Sequence, residues 1–356
     1  MNRLKKAALT LTAVASFVSG PAVAQNVIAQ STPVAAPVQA TPGNYDKTDW
    51  PSELNCGLFG GDDAEAALAD RQPLVDYLSN WLGIPMKYTT GTSYNAVIES
   101  MASGHTDCGT VGSFSYILAV QEAGAEAIAI SVSSSAEPAV YDPSIPASYY
   151  SVISVKKSSG LRTLADLKGH TFSFVDPAST SGHLIPSSDL LAAGVDPDKD
   201  LETVYAGSHP TSALSVWSDK VDAAASTEAT LFNLAKEGQI DLCFFDDGLI
   251  NKPRTQAEID ALWDSCPDGS MVPIHYSAPI PNSPFSVSKK LPESLKQAIY
   301  DALMNIKNDP ELIAATGGWY EDPTGDHFDP VALDHTYDGL RDVAKQLDLD
   351  LKSFGS

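Results

Sequence analysis

Three consecutive hydroxyl residues, Ser179, Thr180 and Ser181, stand where an apolar strand pattern hands over to an apolar helix pattern. Thr171 to Val175 reads as a short buried strand, and Asp176-Pro177 ends it with turn chemistry. Leu184, Ile185, Leu190 and Leu191 then recur at helical spacing up to Gly194. A helix N-terminus carries unpaired backbone N–H groups and the positive end of the helix dipole. Three added hydroxyl donors make that end suited to an oxyanion. Read alone, Ser-Thr-Ser is also an ordinary helix cap. Pro186 lies within the first turns, and its ring clashes with a helical carbonyl at Gly182, so a local kink is expected.

Other chemistry-bearing residues fall at comparable places. Tyr94 opens a helix over Ser93 to Met101, His209 opens one near His209-Pro-Thr-Ser212, and Glu228 opens one at Thr227. Each has a plain reading too: a half-buried Tyr on a sheet, a capping His, a carboxylate favoured by the helix dipole. Thr110 to Ser113 follows a strand. In open α/β sheets ligands sit beyond the carboxyl ends of strands, which is where these residues gather.

The elements that must position them alternate. Strands are expected at Leu54–Phe59, Met86–Thr89, Thr106–Val111 and Ala125–Val132, with helices between them closing at residues such as Gly83. This predicts a parallel, doubly wound α/β sheet. Tyr149 to Val155 reads as a long strand crossing into a second lobe, which continues with strands at Glu202–Tyr205 and Val221–Ala225. Val272 to Ile280 reads as the returning strand, followed by Phe285–Val287 and two or three helices. The expected organisation is a signal peptide (1–24), a flexible tether (25–53), a first lobe (54–149 plus 276–350) and a second lobe (150–275) with a poorly periodic insertion at 241–268. Two segments cross between the lobes, so a cleft lies between them.

The chain opens with basic Arg3, Lys5 and Lys6, an apolar run from Ala7 to Val18 too short to span a bilayer, and an Ala-x-Ala site. Cleavage after Ala24 is expected, with export to a periplasm. No cysteine follows that site, so no lipid anchor is expected. The net charge is -23, from 22 basic and 45 acidic residues. Loss of three bases on cleavage leaves 19 against 45, or -26. Such acidity excludes a phosphate-backbone partner and an anionic membrane surface. It leaves room for a small anion held by neutral donors.

Four cysteines in an exported chain predict disulfides, Cys56–Cys108 between two core strands and Cys243–Cys266 around the insertion. Two buried free thiols at Cys56 and Cys108 are the alternative. No CxxC pair suggests zinc.

Asp176-Pro-Ala-Ser-Thr-Ser-Gly-His-Leu-Ile-Pro186 resembles the Asp-Pro-x-Ser-Thr-Ser-Gly-x-x-x-Pro signature of the phosphonate/phosphite/phosphate-binding proteins of ABC importers. A weaker likeness extends from about Leu54 to Trp319. The resemblance implies a bilobal, type II periplasmic-binding-protein fold, with two doubly wound lobes on a two-segment hinge. It implies Ser179, Thr180 and Ser181 as ligands of the phosphorus oxygens, with Tyr94 from an Asp-Tyr-x-x-x-Ile-x-x-Met-like segment. It implies Tyr149 from a Tyr-x-Ser-Val-like hinge, with Tyr150 a competing assignment, and Glu228 as a cleft acid. His209 matches a Gly-His-x-Thr-x-Ala element that is one residue longer here. Family members that prefer aminoalkyl phosphonates carry an acid at the position of Ser283. A serine there predicts a ligand without an amine: phosphite, phosphate or methylphosphonate. Glu228 would then accept from a protonated P–OH. Asp246 and Asp247 restore an acid if the insertion folds over the cleft.

The expected function is therefore an extracytoplasmic binding protein, monomeric and without cofactor, that captures a small phosphorus oxyanion and docks on an ABC permease. Two alternatives remain at this point: a secreted hydrolase using Ser181, and a sensor handing the same ligand state to a receptor. The hydrolase lacks a Gly-x-Ser-x-Gly elbow, and His183 is too near Ser181 in the chain to be the usual base.

Overall fold

The computed structural model describes residues 42–134, 136–245, 252–325, 327–349 and 351. The expected signal peptide and the candidate acids Asp246 and Asp247 lie outside the described residues. The first lobe opens with β1 (Leu54–Phe59), α1 (Ala64–Leu82), β2 (Met86–Gly91), α2 (Tyr94–Ala102), β3 (Cys108–Thr110), α3 (Ser113–Ala123) and β4 (Ala125–Ser133). The chain crosses through β5 (Ser148–Tyr149) into β6 (Ser151–Lys156) and β7 (Thr171–Phe174). A π-helical turn (Thr180–Leu184) leads into α4 (Ile185–Ala192), then α5 (Pro197–Asp200), β8 (Glu202–Tyr205), α6 (His209–Trp217), β9 (Ala223–Thr227) and α7 (Glu228–Lys236). After α8 (Gln256–Ser265) and β10 (Met271–Tyr276) the chain returns through β11 (Ile280–Pro281) to β12 (Pro284–Ser288). It ends with α9 (Glu293–Asn305), α10 (Pro310–Thr316), β13 (Gly318–Glu321), α11 (Pro330–Asp334) and α12 (Asp338–Gln346).

Local chemistry sets these boundaries. Asp63 caps α1 by accepting from Ala66 N at 2.9 Å, and Gly83 ends it at φ 69°. Ser93, Ser208 and Thr227 cap α2, α6 and α7 in the same way. These caps place Tyr94, His209 and Glu228 at the first positions of their helices.

One sheet has the order β13-β4-β12-β3-β1-β2 and the other β10-β6-β9-β7-β8. Neither is wholly parallel, contrary to the sequence expectation. β1, β2 and β3 run parallel, but β12 is antiparallel to both β3 and β4. The reason is where the chain re-enters. β12 starts at the cleft and must run away from it, whereas β3 and β4 end there. β6 enters the second sheet likewise and is antiparallel to β9 and β10. The expected single strand Tyr149–Val155 is split at Tyr150, because β5 pairs with β11 in a two-stranded crossing ribbon while β6 joins the second sheet.

Three further expectations change. Within the segment expected as a tether, Tyr45 donates to Asp301 Oδ2 at 2.6 Å and Trp50 Nε1 to Ser294 Oγ at 2.9 Å, so chain before Leu54 packs on the first lobe. The insertion holds α8, opened by a Thr255/Glu258 capping box and anchored by buried Ile259, Leu262 and Trp263. Among the described residues the C-terminal part contributes four α-helices where two or three were expected, and β13, which was not expected, forms one edge of the first sheet.

Apolar clusters cover both faces of each sheet. One cluster joins Val111, Phe114 and Leu340 of the first lobe with Ala178, Leu184 and Ile185. The hydroxyl motif is thus seated against the first lobe by its apolar residues. Cys56 and Cys108, paired across β1 and β3, lie 4.4 Å apart between Cα atoms and form a disulfide. Cys243 and Cys266, at 5.7 Å, form another. No described helix is long and apolar enough to cross a membrane.

Candidate functional site: an oxyanion cradle between the lobes

The cradle begins with a glycine that has no room for a side chain. A Cβ on Gly182 would lie 2.4 Å from Val175 Cβ and 2.8 Å from Ser179 Oγ. This contact lets the helix start press against the end of β7. Pro186 contributes as well. It offers no N–H to Gly182, and the Gly182 carbonyl instead accepts from Val175 N at 3.0 Å. The expected kink takes the form of the π-helical turn over Thr180–Leu184, in which Leu184 N bonds Ser179 O at 3.0 Å.

The hydroxyls themselves are arranged by backbone donors. Ser179 Oγ accepts from Gly182 N at 3.1 Å, and Thr180 Oγ1 accepts from Phe114 N at 2.7 Å. Each oxygen thus accepts a hydrogen bond from a backbone N–H and keeps its own O–H as a donor, with the Tyr94 hydroxyl in reach of Ser179 and the Tyr149 hydroxyl in reach of Thr180 and Ser181. All three residues are at most 2% exposed. Ser151 Oγ anchors Ser181 by donating to its carbonyl at 2.6 Å.

Tyr94 enters from α2, its ring 4.5 Å from that of Phe59. Burial raises its phenol pKa, as do the nearby Tyr149 hydroxyl and the Asp176 carboxyl, so it remains a donor across physiological pH. Tyr149 is also raised by burial, while the Ser181, Thr180 and Ser113 hydroxyls around its oxygen oppose the rise. Tyr150 lies on another wall beside Glu228, 2% exposed. Glu228 is 1% exposed and accepts from Tyr276 OH at 3.2 Å. His209 Nδ1 is buried and has no hydrogen-bond partner among the described residues. Burial pushes its pKa down to about 4, so the ring is neutral near pH 7.

Tyr94, Tyr149, Tyr150, Ser179, Thr180, Ser181, His209, Glu228 and Ser283 all line one cavity of about 330 Å³. Its walls come from both lobes, and direct bonds tie them together. Ser115 Oγ donates to Ala178 O at 2.7 Å, and Asp62 accepts from Ser208 and, at 2.8 Å, from Thr211 Oγ1. Lys236 pairs with Glu137. His183 points elsewhere. Its Nδ1 bonds Pro177 O at 2.8 Å and its Nε2 meets Tyr205 OH at 3.0 Å. Among the described residues no cluster of three His, Cys, Asp or Glu side chains suits a metal ion.

Sequence reasoning missed Arg71, Phe59 and Asn282, which also line the cavity. Asn282 is held by its Nδ2 donating to Ser131 O at 2.8 Å and by Tyr337 OH donating to its carbonyl at 2.9 Å. Arg71 did leave a signal. It sits three, four and seven residues before buried Leu74, Val75 and Leu78, in the apolar stripe of α1.

Residues 59–332 match the family described as ABC transporter, phosphonate, periplasmic substrate-binding protein. The chain belongs to this family. The phosphonates-binding periplasmic protein of Escherichia coli (strain K12) is 26% identical over 262 residues, covering 72% of this chain and 67% of that one. The phosphate-import protein PhnD of Mycolicibacterium smegmatis is 25% identical over 182 residues, 49% of this chain and 54% of its own length. The fold matches PhnD1 from Prochlorococcus marinus (MIT 9301), solved with methylphosphonate, at a TM-score of 0.63 and 17% identity, covering 84% of this chain and 99% of that one. The fold is accordingly the mixed α/β, type II periplasmic-binding-protein fold. As a member of the phosphonate-binding family the protein is a substrate-binding component of an ABC transporter, not of an enzyme family.

Proposed function

We propose that the chain captures a small phosphorus oxyanion without an ammonium group (phosphite, phosphate or a phosphonate) in the interlobe cavity and delivers it to an ABC permease. The observation that carries this reading is the orientation of Ser179 and Thr180. Their oxygens accept from Gly182 N and Phe114 N, so each keeps its own O–H as a donor, to a ligand or, without one, to the hydroxyl of Tyr94 or Tyr149. Backbone N–H groups of the first turn and the helix dipole add to the attraction. Tyr94, Tyr149 and Ser181 complete a donor set, neutral His209 takes a further contact, and Glu228 accepts from a protonated P–OH.

In this reading residues 54–149 with 276–350 and residues 150–275 move as two bodies about the β5/β11 ribbon, and the closed state docks on the permease. The chain is exported with cleavage after Ala24 and works as a monomer. In this reading it breaks no bond, in keeping with a family of transport binding proteins, and His183, the histidine near Ser181 in the chain, has both ring nitrogens engaged. Glu228 is the sole Asp or Glu among the described residues lining the cavity, which disfavours a ligand ammonium.

Calorimetric titration of the ligand-free mature protein with phosphite, phosphate, methylphosphonate and 2-aminoethylphosphonate tests this. Tight binding of a compound without an amine is expected. Preference for the aminoethyl compound overturns the specificity, and no binding by any of the four overturns the function.

A further inference from the structure

Arg71 occupies a position where the helical period calls for an apolar side chain, yet it is half-buried and faces the interlobe cavity. It has no ion pair or hydrogen bond among the described residues. Its guanidinium is open to the cavity, where an anionic group of a ligand can reach it. Asp70, its neighbour in the chain, forms no ion pair with it among the described residues.

A second cavity of about 90 Å³ shares Arg71, Ser131 and Ser133 with the first. It is lined by Asp70, Arg71 and Leu74 of α1, by the end of β4 and by the α10–β13 junction, and by none of Ser179, Thr180 or Ser181. Arg71 therefore stands where the cleft leads away from the oxyanion cradle into the first lobe. Ser131 Oγ is already donating to Ser283 O at 3.0 Å, whereas Ser133 makes no side-chain bond among the described residues. The main cavity, at about 330 Å³, has room for roughly ten waters. Methylphosphonate, with five heavy atoms, fills about half of it by that measure.

We infer that Arg71 and Ser133 form a second subsite, which takes a carboxylate at the far end of a ligand whose phosphorus oxyanion rests on Ser179, Thr180 and Ser181. The inference rests on the reading under Proposed function and narrows its ligand class. The ligands are phosphonates or phosphate monoesters with a carboxylate a few bonds from phosphorus. The planar guanidinium fork matches a carboxylate with two parallel hydrogen bonds, which outweigh the like charge of Asp70 at the same cavity.

The test compares 3-phosphonopropionate with ethylphosphonate, which differs only by lacking the carboxylate, in calorimetric titrations of the mature chain. The ratio of their dissociation constants is read in wild type, Arg71→Gln and Arg71→Lys. Wild type is expected to favour the carboxylated ligand by about tenfold or more. That ratio falls to one or below in Arg71→Gln and is intermediate in Arg71→Lys. A wild-type ratio near one overturns the subsite, whether or not the variants fold, and so does a wild-type ratio retained in Arg71→Gln. If ethylphosphonate and methylphosphonate bind but the carboxylate adds nothing, only the subsite falls. If no phosphonate or phosphate binds, the oxyanion reading falls with it.

Discussion

The backbone N–H of Phe114, at the start of α3 in the first lobe, donates to Thr180 Oγ1 of the second lobe at 2.7 Å. One hydroxyl thus joins the lobes and lines the cavity. Thr180→Val keeps the shape and removes both roles. Each lost donor to an oxyanion costs roughly 1.5–3 kcal/mol, so the dissociation constant for phosphite or phosphate should rise about 10- to 100-fold. Ser181→Ala with Thr180→Ala should remove most affinity. Unchanged calorimetric affinity in that double variant would sink the cradle assignment.

Gly182 admits no Cβ, since Val175 Cβ would lie 2.4 Å away. Gly182→Ala should therefore destabilise the protein by about 1–3 kcal/mol through overpacking. It should also weaken oxyanion binding, because Ser179 Oγ would have to move. A variant with wild-type melting and wild-type affinity contradicts this account of the motif's glycine.

His209 gives a pH dependence with a definite sign. Burial lowers its pKa from 6.5 to about 4 in the folded protein. Between those values the unfolded chain binds a proton that the folded chain does not, so stability is lost as pH falls through this window. His183, also lowered by burial, acts in the same direction. The melting temperature of ligand-free protein should drop from pH 6.5 towards pH 4, and less steeply in His209→Asn. Equal slopes for variant and wild type would remove His209 as a cause.

The disulfides close sequence separations of 52 and 23 residues. Chain-entropy arguments assign them about 4 and about 3 kcal/mol of stability. Reduction should lower the melting temperature and leave ligand preference as it was. A changed preference after Cys243→Ser with Cys266→Ser would mean that the segment between them lines the cleft.

Much of this protein is legible in its amino-acid order because the deciding forces are local. A hydroxyl next to a first helical turn caps it, so Ser93, Ser208 and Thr227 mark where Tyr94, His209 and Glu228 begin their helices. The run Asp176 to Pro186 likewise encodes its own turn, cap and helix start. The capping box at Thr255 and Glu258 was equally local, yet the Asp- and Pro-containing surroundings hid α8. What only the tertiary structure decided depends on which distant segments meet. Strand direction is not a property of a strand's residues, so β12 and β6 read as ordinary apolar runs although they run against their neighbours. The donor that fixes Thr180 Oγ1 is Phe114 N, 66 residues away in the chain. Which segments surround Arg71, β4 and the α10–β13 junction, is likewise decided by distant parts of the chain. Local order determined the parts of the cradle, and packing between the lobes decided which way each part faces.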